Sequence, residues 1–157
     1  MVKEFNVNLE NSLILCLEHT AKIAKLSGIR FFEKEIKTDI SYNDFVIIDT
    51  LHSHPHIHQR NLAKLLFKGT ANLSRDLDKL EEKRLITRHI ESKDNRIVKT
   101  LMLTTKGEQI YNEIGSIIEK RLAFIESIYT PEESELFRKF LIRLKDKLIE
   151  TEGVVID

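Results

Sequence analysis

At residue 85 the apolar period of this chain switches from helical to β-prone, and at Thr104 it switches back. Leucines at 73, 77 and 80 recur at i, i+4 and i+7, one face of a helix. The runs 85–90 and 97–103 are β-prone and flank the polar stretch 91–96, which predicts a two-stranded hairpin with a charged connection. Few folds place a hairpin directly behind a short helix and then return to long helices. The segments on either side decide among them.

Upstream, Leu9, Leu13, Leu17, Ala21, Ala24, Phe31 and Phe32 predict one long helix over about 9–36, with Asn8 as its cap and Gly28 as a place to bend. Ser41, followed three residues later by Asp44, opens a second helix over 42–51 that buries Phe45, Ile48 and Leu51. Pro55 makes 52–56 a turn. A short helix over 59–67 buries Leu62, Leu65 and Leu66, and Gly69 ends it at positive φ. Thr70 then caps the leucine-striped helix, which runs to about Arg84.

Downstream, Ile110, Ile114, Ile117, Ile118, Leu122, Ile125 and Ile128 mark a helix from Thr104. Thr130, Pro131, Glu132 and Glu133 start another, with a hydroxyl cap, proline at the first helical position and acids on the positive helix end. Two short helices, a tight turn and a hairpin form the order of a winged helix-turn-helix. The predicted fold is mainly α with a small β-hairpin wing. It divides into an N-terminal helix (1–37), a winged helix-turn-helix DNA-binding module (38–103) and C-terminal helices (104–157).

The net charge is zero, yet the segment 58–100 holds 11 Lys and Arg against 6 Asp and Glu. A basic middle between acidic ends draws a polyanion to one region. In a winged helix-turn-helix the second helix lies in the major groove. The buried leucines leave Thr70, Asn72, Ser74, Arg75 and Lys79 facing outward, with donors for base edges and phosphates. Lys93, Asn95, Arg96 and Lys99 stand in or beside the hairpin loop, where a basic extension reaches a neighbouring minor groove.

The segments Leu80-Glu81-Glu82-Lys83-Arg84-Leu85-Ile86-Thr87-Arg88, Asp94-Asn95-Arg96 and Leu103-Thr104-Thr105-Lys106-Gly107 together resemble the MarR family of transcription regulators. The family pattern there is L-E-x-x-G-L-I-x-R, D-x-R and L-T-x-x-G, and the likeness extends from about Leu9 to Glu150. It implies a homodimer, with 1–37 as the N-terminal and 104–157 as the C-terminal dimerisation helices, on a pseudo-palindromic operator in double-stranded DNA, and a repressor released by a small-molecule effector; the opening residues lack a secretory apolar core, so the expected location is cytoplasmic. It also implies that Arg96 enters the minor groove, that Asp94 orients a basic side chain, and that Ser74 and Arg75 contact DNA. The family usually has glycine where this chain has Arg84, so a positive φ there would strain it.

Competing readings attach to a few residues. His52, His54, His56 and His58 suit a regulatory metal only if they converge, and otherwise form an exposed polar turn. Cys16, the single cysteine, reads as a buried inert thiol rather than an oxidant sensor. Phe31, Phe32 and Tyr42 either pack between helices or line an effector pocket. A further alternative is a dimer whose basic module binds another protein. No cofactor is expected, and no nucleophile elbow, phosphate-binding loop or zinc-protease motif points to an enzyme. No run of apolar residues is long enough to span a membrane.

Overall fold

The computed structural model describes residues 9–93 and 96–153, with the side chains of 90–93 and 96–98 excepted. Its elements, in chain order, are α1 (Leu13–Glu35), α2 (Tyr42–Ser53), β1 (Ile57–His58), α3 (Gln59–Leu65), α4 (Thr70–Glu82), β2 (Ile86–Lys93), β3 (Arg96–Leu103), α5 (Thr105–Glu126) and α6 (Pro131–Glu152). The chain divides into two compact units at Tyr42.

In the first unit α1 begins at Leu13, later than the periodicity suggested, because Ser12 rather than Asn8 caps it. The Ser12 side chain accepts from the Leu15 amide at 3.2 Å. Asn8 lies outside the described residues. Gly28 stays helical and brings the α1 backbone close to Tyr42, whose ring lies 3.1 Å from where a Cβ would stand. Phe32 is buried and meets Tyr42 edge to face, with centroids 6.1 Å apart. Cys16 is exposed, contrary to the expected burial. Its apolar neighbours Leu15 and Leu17 turn to other sides of the helix, and the apolar face of α1 itself stays largely open, with Leu13 exposed.

The second unit is built on buried side chains from α2, α3, α4 and the sheet, among them Ile47, Ile48, Leu51, Leu62, Leu73, Leu77, Leu80, Leu85, Ile86 and Leu101. The α4 leucines are fully buried, as their spacing requires. Helix α3 departs from expectation: Ala63 is buried beside Leu62, whereas Leu65 is exposed. Seven residues are two turns, and one residue of phase exchanges which side chains face inward.

The sheet order is β1-β3-β2, all antiparallel. The hairpin pairs Ile86 with Leu103 through to Lys93 with Arg96. Strand β1, absent from the sequence reading, pairs Ile57 with Leu101 and His58 with Thr100 and covers the other edge of β3.

Both α3 and α4 end in the same hydrogen-bond pattern. After α4, the Arg84 amide donates to the Glu81 carbonyl and the Leu85 amide to the Leu80 carbonyl, with Arg84 left-handed at φ 59°. The strain anticipated at Arg84 is therefore present. After α3, the Phe67 amide donates to Lys64 and the Lys68 amide to Ala63, and Phe67 takes φ 51°. Gly69, expected to supply positive φ, instead has φ −63° and caps the start of α4, so Thr70 is the first helical residue rather than the cap. The closing bonds fix the left-handed residue by its distance from the last helical carbonyls, and that distance falls on Phe67.

A left-handed non-glycine residue costs ~1–2 kcal/mol, partly offset for glycine by its larger unfolded-state entropy of ~0.5–1 kcal/mol. Arg84→Gly is expected to raise stability by ~0.5–1 kcal/mol. A urea titration checks this as a higher midpoint at unchanged slope.

Thr104 caps α5 and joins it to the end of α4. Its hydroxyl accepts from the Gly107 amide at 3.1 Å and donates to the Arg84 carbonyl at 2.7 Å, while its own amide donates to the Leu85 carbonyl at 3.0 Å. Helix α6 opens with the expected capping box between Thr130 and Glu133 and with Pro131 in the first turn. No described helix is long and apolar enough to cross a membrane.

Candidate nucleic-acid interface

Burying Leu73, Leu77 and Leu80 fixes the rotation of α4 and thereby decides what its other side presents. Thr70, Asn72, Arg75 and Lys79 are exposed and Ser74 is half-buried. The Arg75 Nη2 donates to the Asn72 Oδ1 at 2.6 Å. Around this face the helix is tethered twice. Lys68, in the turn before α4, reaches Asp76 at 2.7 Å across a half-buried pair. From β2, the Arg88 Nη1 meets Asp78 Oδ1 at 2.6 Å and Glu81 Oε2 at 2.9 Å, and its Nη2 donates to the Ser74 carbonyl at 3.2 Å.

Arg88 thus grips the stripe 74, 78 and 81, which is why Ser74 sits lower than its neighbours. In the sequence Arg88 closes the Leu-Ile-x-Arg segment of the resemblance and adds one positive charge, with no partner assigned to it. A usable signal was present, since Asp78 and Glu81 stand at i, i+3 and an arginine follows on the next strand. Neutralising two carboxylates on a helix that would face phosphates also removes a local repulsion. Arg88→Ala removes charge-assisted hydrogen bonds from a guanidinium whose side chain is 17% exposed. It is expected to cost about 2 kcal/mol, a loss that Arg88→Lys recovers in part, as read by chemical denaturation.

In the hairpin, Lys99 is exposed on β3. The backbones of Lys93 and Arg96 pair with each other. The expectations for Asp94 and Asn95, and for the side chains of Lys93 and Arg96, lie outside the described residues.

The four histidines do not converge. His52 belongs to α2, His54 donates to the Thr50 carbonyl at 3.2 Å, His56 is left-handed at φ 62°, and His58 is in β1. Among the described residues no group of three or more His, Cys, Asp or Glu side chains could hold a metal ion. His52 instead pairs its Nδ1 with Glu108 Oε2 at 2.8 Å and stacks on Tyr111, with centroids 3.8 Å apart, while Phe45 lies nearly parallel to that tyrosine at 6.2 Å. Partial burial, then the carboxylates of Asp49, Glu119 and Glu108, push the Tyr111 phenol above its ordinary value. This stack joins the end of α2 to the first turns of α5.

Comparison with known proteins agrees with the geometry. Residues 40–98 match the sequence model of the MarR family. Among solved structures, MepR of Staphylococcus aureus in complex with DNA is similar at a TM-score of 0.73 and 24% identity, over 87% of this chain and 98% of that one. A MarR/EmrR family transcriptional regulator from Acinetobacter sp. ADP1 reaches 0.80 at 21% identity, over 92% and 100%. The transcriptional regulator PcaV from Streptomyces coelicolor, with its natural ligand, reaches 0.72 at 15% identity, over 90% and 97%. Motif order, the left-handed site before β2 and the match over residues 40–98 agree: that segment is similar to the MarR family, and the chain shares its fold with solved MarR-family transcription regulators.

Proposed function

We propose that this chain is a sequence-specific regulator that binds double-stranded DNA as a homodimer and acts as a repressor relieved by a small effector. The observation carrying the DNA reading is the exposed polar face of α4, with Thr70, Asn72, Arg75 and Lys79, held at a fixed rotation by three buried leucines and by Arg88. MepR, similar in fold, is known in complex with DNA, which supports the same use of this face. Lys93, Asp94, Asn95, Arg96 and Lys99 would grip the backbone and minor groove alongside.

Dimerisation is supported by apolar surface that a lone chain leaves in water. Phe124, Ile128, Leu136, Phe137 and Phe140 are exposed, and no residue of α6 is buried. A helix without buried residues has little to hold it in place, so a second copy is the natural cover. In this arrangement 1–37 and 104–157 serve dimerisation and 38–103 serves DNA. The effector rests on PcaV, which binds a natural ligand.

A mobility-shift titration with the DNA upstream of the chain's own gene, paired with sedimentation, tests the proposal. A dimer that shifts this DNA in the presence of excess unrelated duplex supports it. A monomer, or a shift abolished by any competitor alike, overturns it.

A further inference from the structure

On α4 two of the exposed polar side chains are not independent. Asn72 and Arg75 are neighbours at i, i+3, and the 2.6 Å bond between them uses the amide's only side-chain acceptor, Oδ1. We propose that Asn72 is a positioning residue that presets Arg75 to read a guanine in the major groove, an inference that rests on the DNA reading above.

The chemistry follows from donors and acceptors. An unengaged asparagine reads adenine bidentately, donating to N7 and accepting from the N6 amino group. With one Oδ1 lone pair engaged by Arg75, the Asn72 acceptor is turned toward the guanidinium rather than toward a base, which disfavours that mode. The guanidinium has five N–H donors and no acceptor, and one bond to Asn72 leaves a pair free. Guanine offers two acceptors, N7 and O6, to such a pair, whereas adenine sets a donor where one acceptor should be. The guanidinium therefore selects acceptors, and guanine is the base that supplies two.

Charge points the same way. Lys68 and Arg88 end on carboxylates, which cancel them. Arg75 ends on a neutral amide, which orients the group without neutralising it. Holding it in place before contact also reduces the rotamer freedom lost on binding. Asn72 and Arg75 are both exposed, so their replacement alters recognition rather than the core.

The test is selection from duplexes with a randomised core, followed by competition binding, on wild-type chain and on Asn72→Ala, Arg75→Ala and Arg75→Lys, each checked for an unchanged melting temperature. Wild type is expected to enrich guanine at one fixed position of each half-site. Arg75→Ala should erase the preference at that position alone, and Arg75→Lys should weaken it. Asn72→Ala should lower guanine-over-adenine discrimination there roughly tenfold, with an unchanged salt dependence. Full guanine preference in Asn72→Ala overturns the inference. So does a uniform loss across all sequences in Arg75→Ala with a shallower salt dependence, the mark of a phosphate contact. A wild-type chain that enriches nothing would instead sink the DNA reading beneath it.

Discussion

Gly107→Ala is expected to be strongly destabilising, costing about 3 kcal/mol. A Cβ at this position would stand 2.1 Å from the Leu85 carbonyl oxygen and 3.1 Å from its carbon. Neither backbone can withdraw. Leu85 is held by its amide bond to Leu80 and by the bond its carbonyl accepts from Thr104, and Gly107 is held by its amide bond to the Thr104 hydroxyl. Natural domains are stable by only ~5–15 kcal/mol, so the loss is a large share of the whole. Urea denaturation checks it, and a change below about 1 kcal/mol would mean that α5 does not close on Leu85 as described.

The second large effect concerns binding rather than stability. Arg75→Ala and Arg96→Ala are each expected to weaken operator binding by about 1–3 kcal/mol while leaving a folded dimer. Arg75 is exposed and, among the described residues, is bonded within its own helix turn to Asn72, so its removal leaves the leucine core untouched. Arg96 opens β3, paired with Lys93, in the part of the hairpin that the family likeness assigns to the minor groove. Fluorescence anisotropy on a labelled operator, with sedimentation of each variant, measures both. Wild-type affinity in both variants would refute these roles.

Much of this was readable from residue order because the informative patterns are local. Leu73, Leu77 and Leu80 fix the face of α4 by spacing alone, and Thr130-Pro131-Glu132-Glu133 carries every element of a helix start. Thr104 and Gly107 were legible as a motif, but their reason is spatial: one caps α5 and bonds back to Arg84, and the other makes room for the Leu85 carbonyl. What escaped was set by distance through space or by phase. Strand β1 is two residues long, too short for any period, and exists because β3 has an open edge. The left-handed residue after α3 fell on Phe67 because helix-closing bonds outrank the preference for glycine. Arg88 found its carboxylates across from β2 to α4, and the i, i+3 spacing of Asp78 and Glu81 hints at the acceptors without fixing the donor.

The same order of elements could still serve a protein partner, and electrostatics separates the two outcomes. Binding of the dimer to its upstream duplex, followed from low to high salt, should fall linearly on logarithmic axes with a slope of about −0.9 for each phosphate neutralised. Lys79 and Lys99 are exposed, and with Lys93 and Arg96 of the wing they would be supplied by each of two protomers. A steep slope corresponding to roughly six to ten phosphates is the expected result. A slope near zero, or binding that salt leaves intact, would contradict a duplex seated on α4 and the wing.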